Sequence, residues 1–300
     1  MERQSWTGDY QDKPSHRLGF QLTTHDSQIK KEKNKMTKKI ILSSVVAFGL
    51  AASSAMAHFQ MLYTPESALE KGGKITLKHV FNHPFADEHT MDMTGVEEFY
   101  VVHKEEKIDL MKDLKPITFK GNTNSGKGFE NDYNARKMGD HLFVMTPKPY
   151  FEKNEDAFIQ QITKTVVNVA GLPTDWDAEL GLKAEIVPLT KPYAIYAGGT
   201  FTGIVKSNGE PVPYAEIEVE YLNHDVDMKN NAMGKAKYTA PQDSFVTIGI
   251  KANKDGEFTF GIPKSGWWGF AALGVGSDDK YEGKDLSQDA VIWIQAKDMK

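Results

Sequence analysis

The sequence predicts an all-β protein built as two antiparallel β-sandwich domains in tandem. Three observations predict it: beyond residue 57 short alternating stretches are punctuated by Gly, Pro, Asn and Asp, β-branched and aromatic residues crowd those stretches, and no helical period is sustained. Lys74 to Phe81 (KITLKHVF) alternates, which puts Ile75, Leu77, His79 and Phe81 on one face of a strand. Glu98 to His103 and His141 to Met145 read as further strands. The period of 158–169 fits either helix or strand, and its run of Ile162, Thr163, Thr165, Val166 and Val167 decides for strand. Leu182 to Val187 is expected to close the first domain, 58–192, before Pro188 and Pro192.

The second domain is expected over 197–300. Ile204 and Val205 run into a turn at Ser207-Asn208-Gly209, Ile217, Val219 and Tyr221 alternate, and Asn223-His224-Asp225 ends that strand. Asp255-Gly256 supplies the positive φ of a tight turn and predicts a hairpin between two paired strands. Trp267 and Trp268 are adjacent, so on a strand they face opposite ways, one into the sandwich core and the other against a neighbouring domain or partner.

Ahead of these domains, Met36 to Ala57 reads as a signal peptide, with Lys38 and Lys39 before the apolar run Ile40 to Leu50 and Ala55-Met56-Ala57 as the cleavage site. Residues 1–35 are polar and precede this complete signal, and they read as a mis-called start. The apolar run is too short for a membrane anchor. Cleavage after Ala57 would make His58 the first mature residue and place the protein in the periplasm as a soluble chain. A histidine there offers its α-amine and a ring nitrogen together, a chelate suited to nickel or copper.

Of 36 basic and 41 acidic residues, nine and five precede His58, so the mature chain keeps 27 and 36 and a net charge of −9. That balance argues against nucleic acid as a partner and fits a cationic ligand. With no cysteine there is neither a disulfide framework nor a thiolate site, so any metal must come from His, Met, carboxylate or the N-terminus. Six of the seven mature histidines fall in the first domain: His58, His79, His83, His89, His103 and His141. His83 and His89 flank a Pro turn, with Met91 and Met93 just beyond in H-T-M-D-M. The candidate metal ligands are therefore His58, His83 and His89, with the thioethers of Met91 and Met93 in reserve for a softer ion, although methionine fills cores equally well. His79 shares a face with apolar residues and is expected in the core. His103 and His141, at strand ends, are expected to be surface or hydrogen-bonded residues. There is no nucleophile elbow, phosphate loop or H-E-x-x-H helix.

Gly203 to Val219 and Asn253 to Phe260 resemble the two halves of the transthyretin-like or carboxypeptidase-regulatory-like β-sandwich, which implies a scaffold fold and no particular function. HFQMLYTP at the mature start, VFNHPFADEHTMDM, the long passage from TPKPYFEKNED to LTKPY, and GWWGFAAL resemble the periplasmic component associated with energy-coupling-factor type nickel and cobalt uptake systems, a family annotated mainly by a domain of unknown function. That resemblance implies Ni²⁺ or Co²⁺ as the ion and a membrane metal-uptake transporter as the partner. It matches His58 to the family's mature-start histidine and His83 to its His-Pro motif.

Three functions stay open on the sequence. The leading one is a non-enzymatic protein that captures Ni²⁺ or Co²⁺ in the periplasm and presents it to the transporter. Copper is also possible at an N-terminal histidine, as in a histidine-brace protein or oxidase. The third is a structural or adhesive β-sandwich with incidental histidines.

Overall fold

A computed structural model describes residues 58–87 and 89–299, which belong to one compact unit; the expected extension, 1–35, and signal peptide, 36–57, lie outside the described residues. The main strands are β1 (Phe59–Tyr63), β2 (Gly73–Asn82), β3 (Val96–His103), β4 (Lys115–Lys120), β5 (Ser125–Ala135), β6 (Gly139–Pro147) and β7 (Ala157–Val169). After them come β8 (Glu185–Pro188), β9 (Thr200–Ser207), β10 (Glu216–Tyr221), β11 (His224–Asp227), β12 (Ala232–Ala236), β13 (Ile248–Lys251), β14 (Glu257–Gly261), β15 (Gly266–Ala272) and β16 (Lys284–Lys297). The fold is all-β, and 158–169 is strand as its β-branched run requires. No helix among the described residues is long and apolar enough to cross a membrane.

Three sheets share the work. The first runs β1-β2-β5-β4-β12-β11, the second β13-β10-β15-β16-β7-β6-β3, and the third packs β8 and β14 on either side of β9. The second sheet is the centre of the molecule. Along β7, Ile162 and Val166 enter the core against Phe201, Val205 and Ile186 of the third sheet, while Val167 and Val169 enter the core against Leu77 and Phe81 of the first. Both faces are covered, which is why β7 is buried almost throughout and gives no simple alternation of polarity. Its polar side chains are matched: Lys164 forms a buried ion pair with Glu185 at 2.8 Å, and Asn168 donates to Asp140 at 2.6 Å. Burial depresses the Lys164 pKa, and the Glu185 carboxylate opposes that shift.

The two expected domains share a sheet. β16, from the expected second domain, lies parallel to β7 of the expected first, Phe158 opposite Leu286 through Thr165 opposite Trp293. β8, expected to close the first domain, instead pairs with β9 of the second. The second and third sheets therefore draw strands from both 58–192 and 197–300. Parallel pairing demands a long crossover, here all of 170–283, and this is a relation between distant segments that alternation cannot encode. The Asp255-Gly256 turn has the expected positive φ of 77° at Gly256, but it carries the chain from β13 in the second sheet to β14 in the third, so no hairpin forms. Asn223-His224-Asp225 leads into β11, where a strand end was expected. Trp267 and Trp268 do face opposite ways, yet both are buried in cores on the two sides of the second sheet.

The first sheet meets the second edge first. Alternate residues of β1 fall into different cores, Leu62 with Phe81 and Val167, Phe59 and Met61 with Val291 and Trp293. The free edge of β1 thus rests on the seam between β7 and β16, where its peptide groups find side chains. The Gln161 carboxamide accepts from Gln60 N–H at 2.7 Å and donates to the His58 carbonyl at 2.7 Å, as a neighbouring strand would. Trp293 Nε1 donates to the Gln60 carbonyl at 2.9 Å and Thr165 Oγ1 to the Leu62 carbonyl at 2.8 Å. Buried peptide groups left unpaired are strongly destabilising, so these bonds hold β1 in place. Gln161→Met keeps the volume and removes both amide bonds. It is expected to lower stability by about 2–4 kcal/mol and to speed hydrogen exchange selectively in β1, as urea denaturation and exchange mass spectrometry would read.

Candidate metal centre

The antiparallel register of β1 and β2 pairs Phe59 with Asn82, and one step further the same register sets His58 opposite His83. Their ring centroids are 4.8 Å apart and the rings are nearly perpendicular, at 85°. His58 is also flanked by Phe81 and Tyr150, with centroids 5.7 and 6.4 Å away. Glu152 comes from the short strand Tyr150–Glu152 on the start of β7, and its Oε2 lies 3.4 Å from His58 Nε2. His83 is only 7% exposed, and neither of its ring nitrogens has a hydrogen-bond partner. An imidazole buried with both nitrogens idle is poorly solvated by the protein and open to a ligand.

The loop that carries His83 is clamped from several sides. Asp87 N–H donates to the His83 carbonyl at 2.8 Å and Asn223 N–H to the Pro84 carbonyl at 3.0 Å. The Phe85 carbonyl accepts from Asn223 Nδ2 at 3.2 Å and lies 3.1 Å from His224 Nε2. Phe85 N–H donates to Glu220, which also accepts the Thr247 hydroxyl, and burial pushes the Glu220 carboxyl up to about 8. His224, at the start of β11, is thus a support of the loop.

Burial pushes the pKa of His58 down to about 4, helped by His89, and that of His83 down to about 4, helped by His58 and His89 and opposed by Glu152. Both rings are therefore neutral at pH 7, the form that coordinates a metal. His89 is exposed, close enough to act on both rings electrostatically. Met91 and Met93 lie in the apolar core with Leu62, Phe99 and Phe143, and the Met93 thioether accepts Gln60 Nε2 at 3.6 Å. These positions are those of core filler, and Met93 also borders a small cavity with Phe81 and Tyr150, the neighbours of His58. Glu152 is the polar neighbour that sequence reasoning missed. Only its membership of the KPYFEKNED passage pointed toward it, since nothing in its spacing links it to His58. Among the described residues no three His, Asp or Glu side chains gather in a metal-holding group.

The remaining histidines are structural. His79 is fully buried, donates from Nε2 to Asn131 Oδ1 at 2.8 Å and packs on Phe99, the core role expected of it. His103 and His141 stack at 4.2 Å and bond the Asp140 and Lys137 carbonyls, so they are hydrogen-bonded as expected but buried rather than on the surface.

Burial also takes His79 down to about 4. All three histidines bind fewer protons folded than unfolded between pH 6.5 and about 4, so their contribution to stability is complete above 6.5 and lost as pH falls toward 4. The melting temperature of the metal-free protein is expected to fall over that window, and the fall should be shallower in His83→Gln, as calorimetry against pH would show.

The profile of the family described as Domain of unknown function (DUF4198) matches residues 55–276, and the chain belongs to that family. No curated protein matches it. Among solved structures, the D0-D1 domain of Intimin is similar at 10% identity over 80% of this chain and 100% of that one, with a TM-score of 0.22. The adhesin InvE of Yersinia pseudotuberculosis is similar at 11% identity over 78% of this chain and 58% of that one, also with a TM-score of 0.22. A likeness this low carries no argument about the protein.

Proposed function

We propose that this DUF4198 protein binds a late first-row transition ion, Ni²⁺ or Co²⁺, through His58 and His83 in the periplasm and passes it to a membrane uptake transporter. One observation carries the reading: two imidazoles 4.8 Å apart, one with both nitrogens idle, both neutral at pH 7 and the pair beside a carboxylate. Two ring nitrogens alone make a weak site. The third donor is the α-amine that signal cleavage after Ala57 would create on His58, with Glu152 balancing the cation and His89 at the mouth of the site. Few protein donors leave room for water or an incoming ligand, as suits an ion that must be released again. Covalent chemistry has no part in this function, and the periplasmic location rests on the signal peptide. The resemblance to nickel and cobalt uptake components supplies the choice of ion and the transporter. Copper competes for the same nitrogens on affinity grounds.

Titration calorimetry on the mature protein tests this. One ion per chain is expected, with stoichiometric binding abolished in His58→Ala and in His83→Ala, and weakened about tenfold in Glu152→Gln. One added residue ahead of His58 should weaken binding sharply without changing the melting temperature of the metal-free protein. Unchanged affinity in the extended protein would remove the amine from the site. Binding of copper accompanied by ascorbate-driven peroxide formation would favour the oxidase instead.

The pH profile separates the donors. With the rings at about 4, they need lose no proton above roughly pH 5, whereas a free amine of pKa about 7.7–8.0 must. Log affinity is expected to fall by about one unit per pH unit from roughly 7.5 to 5 if the amine binds, and to stay level there if the rings act alone.

A further inference from the structure

We propose a ligand site on the opposite face of the second sheet from β1: the cleft beside Glu97 binds a small organic ammonium ion with an apolar body. Adjacent residues of β7 face opposite ways, so Gln161 braces β1 whereas Gln160 and Ile162 belong to the other face. A cleft of about 520 Å³ opens there, a volume in the range of small-molecule sites. Gln160 and Ile162 of β7 line it together with Leu286 and Gln288 of β16. Glu97 borders it from β3, two strands to one side of β7, and Tyr281 borders it from the short strand Lys280–Tyr281 paired with the start of β16.

Most charges at the cleft are matched within the protein. Lys107 pairs with Glu98 at 2.5 Å, Lys183 with Asp278 at 2.6 Å, and Lys280 with Asp285. Glu97 has no Lys, Arg or His partner among the described residues, yet it is held in place. Asp278 N–H donates to Gln288 Oε1 at 3.3 Å, Gln288 Nε2 to Gln160 Oε1 at 2.8 Å, and Gln160 Nε2 to Glu97 Oε2 at 3.0 Å. Gln160 and Gln288 are 4% and 1% exposed, and the Pro147 carbonyl takes the second amide hydrogen of Gln160 at 2.8 Å. A surface glutamate ordinarily rotates freely, and fixing it on binding costs side-chain entropy. Here a buried relay of carboxamides fixes one in advance through Oε2, which preorganises the carboxylate for a cation. Ile162, Leu286 and the Tyr281 ring, which packs edge-on to Phe158 at 4.9 Å, offer surface to an apolar body. One free carboxylate among amides and carbon suits an ammonium group better than a hard metal ion, which takes six or more oxygens.

Phenethylamine is the probe, with hydrocinnamate and phenethyl alcohol as negatively charged and neutral counterparts carrying the same ring. In a ligand-observed NMR titration of the mature protein, the amine is expected to bind with a Kd on the order of 1 mM, about tenfold tighter than either counterpart. Glu97→Gln keeps an acceptor for Gln160, removes the charge and should weaken the amine about tenfold. Tyr281→Ala should weaken it about fivefold, which places the bound ring in the cleft. Neither side chain is buried, so both variants are expected to melt like the native protein. His58→Ala/His83→Ala should bind the amine as the native protein does while losing nickel, which separates this site from the imidazole pair. The proposal is overturned if the native protein leaves phenethylamine unbound or binds hydrocinnamate equally well. It is overturned too if Glu97→Gln or Tyr281→Ala keeps the native affinity, or if amine binding disappears with the two histidines.

Discussion

The molecule depends on one joint, the free edge of β1 set against the seam of β7 and β16. A strand edge in a protein interior leaves a row of peptide groups with neither water nor a neighbour. Here Gln161, Trp293 and Thr165 act as that neighbour. The bonds are directional, so they set how far β1 slides along the seam as well as that it binds there. The apolar cores on either side, around Leu62 and around Phe59, supply the non-directional part of the attachment.

Everything at the candidate metal centre inherits its position from that joint. Gln161 grips the His58 carbonyl, the β1–β2 register brings His83 across from His58, and the start of β7 brings Glu152 alongside. The same burial that fixes these groups removes protons from the imidazoles, so placement and protonation state have one cause. A pair of histidines on a solvated loop would carry protons in mildly acidic conditions and repel a cation. This pair stays neutral.

Local features of this chain were legible in its sequence, and distant pairings were not. Strands such as β2 could be read because alternation is a property of neighbours, and His79 could be placed in the core because it shares its face with Ile75, Leu77 and Phe81. The opposite facing of Trp267 and Trp268 follows from strand geometry alone, whereas the burial of both depends on what covers the second sheet. His58 and His83 were candidates by residue type and loop position; their proximity follows from a register that the sequence does not state. Met91 and Met93 illustrate the converse, since a thioether looks the same in a core as beside a metal, and only the surroundings distinguish the two. Glu152 and the Gln161 brace escaped because each acts through partners far away in the chain.

The parallel pairing of β7 with β16 bears on the order of events during folding. The strand that completes the centre of the second sheet is the last of the described strands, and it carries Trp293, which gives one of the four side-chain bonds that hold β1. β1 therefore has no finished seam to rest on until 284–297 is available. Contacts this remote in sequence slow folding, because a long loop must close before its pairing is rewarded. A protein emerging from its amino end makes β1 long before Trp293 arrives to brace it, so that joint closes late.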